Sequence, residues 1–183
     1  MAISTLTGAE EIKWDLSDLY KGTDDPKLKT DLDEALTLAE TFASDYKGRV
    51  ADLKATELAD AISREEDIHV ITTRVGTFHY LRNSVDTADP ALGAAVAAFD
   101  EFVAKLSTII LFFDLELAAV SDEKAAEFES AKELESYRHH LKSVRRYRPH
   151  VLSEPEEAVF AELHPSGPSA LSLIHISEPT RPY

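Results

Sequence analysis

Asp89–Leu117 reads DPALGAAVAAFDEFVAKLSTIILFFDLEL, and its spacing decides the fold class. Leu92, Val96, Phe99, Val103, Leu106, Ile110, Phe113 and Leu117 advance by three or four residues almost throughout. That step gathers them on one face of a helix of period 3.6. Asp100, Glu101, Lys105 and Asp114 fall on the opposite face. Asp89-Pro90 is a start signal, with a carboxylate at the N-cap and proline at the first helical position.

The same grammar runs upstream. Asp25-Pro26 opens a helix whose face is Leu28, Leu32, Ala35, Leu36, Ala39, Phe42, Ala43 and Tyr46, and Gly48 offers its stop. Thr56 is the expected cap of a second long helix, with Leu58, Ile62, Ile68, Ile71, Val75, Phe78, Leu81 and Val85 on one side. Its spacing slips near Arg64–Asp67, which predicts a kink or a change of buried face there. Three such helices bury their stripes against one another. No strand-period segment competes, so the fold class is all-α, a bundle of long amphipathic helices.

Downstream the elements shorten. A helix of about Asp122–Ser130 follows Ser121, and another runs from about Leu134 to Tyr147 with Tyr137, Leu141 and Val144 inward. Pro149 ends it. Ser153-Glu154-Pro155-Glu156 is a capping box that opens a helix over Glu154–Leu163. At the other end, Trp14–Tyr20 (WDLSDLY) reads as an anchoring turn, with Trp14, Leu16, Leu19 and Tyr20 docked on a larger body. Residues 1–13 read as loosely ordered.

The totals bound what the chain does. Its 183 residues suit one domain with a real core. It has no Cys, which removes disulfides and thiolate metal sites. A formal net charge of −15 opposes general binding to nucleic acid or anionic membrane, because the summed field repels phosphate. No secretory leader is evident at the N-terminus, and the apolar run Ile109–Phe113 is far too short to span a bilayer. The expected location is the cytoplasm, with no nucleic-acid and no membrane partner.

His164–Ser169 (HPSGPS) is turn-forming, and Leu171–Tyr183 (LSLIHISEPTRPY) shows neither periodicity nor a cap. Back-translated, LSLIHISEPTR matches the reading frame of a common sequencing-library transposon adapter. The expected organisation is therefore a native helical domain over 1–163 and a non-native read-through tail over 164–183. The native protein then continues beyond about His164.

No complete catalytic site is visible. His69 and His79 lie about 80° apart around a helix and several turns apart along it, so they are no ligand pair. His139 and His140 are adjacent and diverge. HExxH, two imidazoles one turn apart with a glutamate base between them, does not occur. No Gly-x-Ser-x-Gly elbow and no glycine-rich phosphate loop appear. Glu65, Glu66 and Asp67 read as a solvated acidic face. Tyr137–Glu157 holds five of the nineteen Lys/Arg residues: Arg138, Lys142, Arg145, Arg146 and Arg148. Arg138, Lys142 and Arg145 share a helix face, and the expected role of the group is docking against the acidic helices. Catalytic, cofactor-binding and metal-binding residues are accordingly none in this chain.

WDLSDLY, the long acidic helices and Arg146–Leu163 (RYRPHVLSEPEEAVFAEL) together resemble the N-terminal region of oligoendopeptidase F. That family of zinc metallopeptidases is related to thimet oligopeptidase. The resemblance covers about residues 10–163, and Arg145–Glu157 follows the family pattern R-x-x-(K/R)-PH-x-LS-E-x-EE. It implies a mostly helical enzyme that cleaves short peptides with zinc held by HExxH and a downstream glutamate. It further implies that the N-terminal helices wall a channel closed to folded proteins. This chain would be that wall and substrate gate, inactive by itself, with zinc and oligopeptide belonging to the complete enzyme. Two other readings remain: a standalone helical-bundle interaction protein, and a helical anion-binding module using Arg138–Arg148.

Overall fold

The computed structural model describes residues 15–168, 170 and 171. Among these the chain forms helices and no strand, so the all-α expectation holds. The helices are α1 (Pro26–Tyr46), α2 (Ala55–Val85), α3 (Pro90–Ile110), α4 (Phe112–Ala119), α5 (Asp122–Ser130), α6 (Arg138–Tyr147) and α7 (Glu154–Leu163). The segments expected to be loose, residues 1–13, and most of the adapter-like tail lie outside the described residues, as does Trp14.

Helix α1 starts as its sequence requires. The Asp25 carboxylate accepts the Lys27 N–H at 2.9 Å, and Pro26 occupies the first turn. Gly48 ends it at φ +76°, a left-handed turn that costs glycine little. That turn is tied to α4, whose Glu116 carboxylate accepts N–H groups from Gly48 at 2.7 Å and Val50 at 3.3 Å. Thr56, the expected cap of α2, sits inside the first turn; Lys54 is the cap residue. The cause is Glu57, which takes the Lys54 backbone N–H at 2.8 Å and so starts the helix two residues earlier.

Two further boundaries differ from the sequence reading. The apolar run of Asp89–Leu117 is divided at Leu111 into α3 and α4. Phe112 and Phe113 are both fully buried, although neighbours on one straight helix point about 100° apart. The joint places both rings around Phe42, with centroids at 5.7 and 5.1 Å. Helix α6 begins at Arg138 instead of Leu134, because a 3-10 turn over Lys132–Leu134 buries Leu134 first. It ends at Tyr147, just ahead of the 3-10 turn that contains Pro149.

The core lies in two parts. The larger centres on Phe42, Phe112 and Phe113, with Leu58, Ile62 and Ile68 from α2 and Phe128, Leu134 and Leu141 from the later elements. The smaller joins Tyr20, Leu28, Val75, Phe78 and Phe99. Here Gly76 lets α2 approach α3: a Cβ at that position would stand 2.7 Å from the Phe99 ring. The anchoring turn behaves as expected over its described residues. Tyr20 is buried, meets Phe78 edge-on at 5.3 Å, and donates its hydroxyl to Asp31 at 2.6 Å. Asp31 is itself buried and also receives Lys27 Nζ at 2.7 Å and an Arg74 N–H at 3.2 Å. Burial alone would raise its carboxyl, yet the bonds from Lys27 and Tyr20 and the nearby cations hold it below the usual carboxylate range.

Candidate functional site

The basic helix α6 is where a ligand-binding reading would have to stand. Leu141 is its one fully buried residue, and Arg145 beside it is only 18% exposed. The Arg145 guanidinium donates to the carbonyls of Ala118 at 3.2 Å and Val120 at 2.5 Å, and also reaches the Asp122 carboxylate. A cation therefore sits at the C-terminal end of α4, where unpaired carbonyls concentrate negative potential. Arg148 joins Asp122 at 3.3 Å, Arg138 donates to the Glu129 carbonyl at 2.9 Å, and Lys142 lies 3.9 Å from the Glu129 carboxylate. Four of the five basic side chains thus bind α6 to α4 and α5. The expected docking role is what the geometry shows, and little of this charge is left for an external anion.

Helix α2 holds a group that the sequence reading misplaced. Glu66 and Asp67 are exposed, but the Glu65 side chain is only 14% exposed. It is three residues beyond Ile62 and three before Ile68, so it occupies a position of the buried stripe. This carboxyl is the slip in spacing near Arg64–Asp67. The helix runs unbroken through it, and the buried face shifts from the Leu58–Ile62 side to the Ile68–Phe78 side. Burial, then the charges of Asp114 and Glu66, push the Glu65 carboxyl up to about 8. The site can take up and release a proton near neutrality. Its interrupted spacing was the available signal.

The histidines do not converge. His69 is largely exposed, with Nε2 3.9 Å from Glu65. His79 is packed between Phe78 and Phe99, at 5.7 and 5.9 Å, and burial lowers its basicity. His139 is exposed, whereas His140 keeps its Nε2 buried without a hydrogen-bond partner. A cleft of about 410 Å³ opens between the end of α1 and the start of α2. Within it Arg64 pairs with Asp45 at 2.8 Å and donates to Tyr46 Oη, which donates to Asp60 at 2.9 Å. Among the described residues no three His, Cys, Asp or Glu side chains are grouped to hold a metal ion. The described residues do not fit a zinc site.

Residues 116–175 match the family model described as Oligopeptidase F, from Glu116 in α4 to beyond α7. The chain is also 28% identical over 120 residues to Oligopeptidase PepF of Bacillus subtilis, which covers 65% of this chain and 18% of that protein. No solved structure matches. The chain is therefore similar to oligopeptidase F over the region that holds RPHVLSEPEE, whereas WDLSDLY lies outside the residues that the family model matches. It spans about one fifth of the curated relative's length.

Proposed function

We propose that this chain is the N-terminal helical part of a zinc-dependent oligoendopeptidase that hydrolyses short peptides in the cytoplasm. In this reading α1 to α7 form part of the wall and gate of the substrate channel, and the HExxH motif lies in sequence beyond the chain. The chain alone is inactive, since its 183 residues contain no HExxH. The observation that carries the reading is the family match over 116–175, which includes the basic helix α6, the Pro149 break and the capped helix α7. The domain is drawn as residues 1–163 with a non-native tail behind it. The family match runs to 175 and so extends past His164 into the first five adapter-like residues.

The test begins at the source locus. The reading frame is expected to leave the adapter-like codons, continue and reach HExxH. The extended protein should cleave an internally quenched short peptide, lose that cleavage to a zinc chelator and regain it with zinc. The 183-residue chain should not cleave the peptide. A natural stop in genomic DNA directly behind residue 183, or cleavage indifferent to chelation, overturns the proposal.

A further inference from the structure

Helix α7 is oriented against its composition. It packs on α3, yet its partly covered positions are Glu154, Glu157, Ala158 and Ala161. Its large apolar side chains point the other way: Val159 is 53% exposed, Phe160 62% and Leu163 54%. Not one residue of α7 is fully buried. A helix of ten residues is marginal in water by its own hydrogen bonds and needs an apolar face covered. Here the local supports are the Ser153–Glu156 capping contact at 2.9 Å and a half-exposed Lys47–Glu154 ion pair. The seam with α3 is also open, a groove of about 490 Å³ beside Lys105, Thr108, Ile109, Glu162 and Pro165.

We infer that the outer face of α7, with this groove, is the surface on which the following part of the polypeptide docks. The inference rests on the oligopeptidase reading for the existence of that part. Two observations choose this occupant over a second copy. The curated relative is more than five times the length of the segment it shares with this chain, and α7 lies inside the family match, near its downstream end. Pairing two copies would instead bring together the Glu156 and Glu162 rims of chains that each carry −15. The complementary surface is an apolar patch that inserts beside Phe160, rimmed by Lys or Arg facing Glu162.

The experiment uses the extended protein with a photo-crosslinking side chain at Phe160, and at Val70 of α2 as an exposed control. Phe160 is expected to give an intramolecular crosslink to the part of the extended protein that follows the native helical domain, and Val70 none. In parallel, Val159→Glu with Phe160→Glu should lower the melting temperature of the extended protein by several degrees and leave the 183-residue chain unchanged. A crosslink to a second copy, no crosslink at Phe160, or an unchanged melt overturns the inference while the peptidase reading stands. A continuing frame without HExxH overturns the peptidase reading and leaves this docking test intact. A stop directly behind residue 183 overturns both.

Discussion

Phe42 and Phe160 are the same residue type on helices of the same chain, and they live in opposite conditions. Phe42 is fully buried, with Phe112 and Phe113 at 5.7 and 5.1 Å around it. Phe160 is 62% exposed, and the inner side of its helix offers alanines to α3. The difference lies in what the described residues place against each helix face. The Phe42 region is complete in itself. The α7 region has its cap, its proline and its apolar residues, and among the described residues nothing buries Val159, Phe160 or Leu163.

Substitutions can break or sharpen that contrast. The largest effect is expected from Phe42→Ala, which should cost about 3–5 kcal/mol and unfold much of the population in a denaturant titration. Arg145→Ala comes next. It uncovers the carbonyls of Ala118 and Val120 at the end of α4 and should cost about 2 kcal/mol by thermal melting, the scale of hydrogen bonds to a charged group. Arg146→Ala, on the exposed side of α6, is the control and should be near neutral.

Glu65 supplies the pH dependence. Its carboxyl titrates near 8 in the folded chain, against 4.5 as its ordinary value. The native state therefore keeps a proton that the unfolded state releases. This contribution is fully present below pH 4.5 and is lost as pH rises through 8. Glu65→Gln should melt like the parent at pH 4.5 and be stabilised at pH 9, by about 1–2 kcal/mol after allowance for partial hydration. Equal melting at both values would contradict the burial of this carboxyl. The smallest effect is expected at α7: in this chain, Phe160→Ala should shift stability by no more than about 0.5 kcal/mol.

Much of the fold was legible because its signals were local. Asp25-Pro26, Asp89-Pro90, Ser121 and Ser153 each open a helix where their side-chain chemistry places the start. What was not legible depended on tertiary partners. Thr56 looked like a cap until Glu57 closed the helix on Lys54. Leu111 sits in an apolar run, and the division there follows from the demand of the Phe42 pocket for two adjacent rings. Glu65 read as surface because a charged triplet in an acidic chain usually is; its position between Ile62 and Ile68 argued otherwise. The basic residues of α6 were assigned correctly to internal docking. The two backbone carbonyls at the end of α4 that Arg145 also reaches follow from a packing that spacing does not encode.

Backbone hydrogen exchange tests the contrast most directly. In the 183-residue chain, amides of Val75–Phe78 in α2 should exchange at the rate of global unfolding, and those of Ala158–Leu163 in α7 should exchange far faster through local opening. In the extended protein the α7 amides should slow to match. Equal protection of both helices in the 183-residue chain would contradict the account, because α7 would then be held by contacts this structure does not contain.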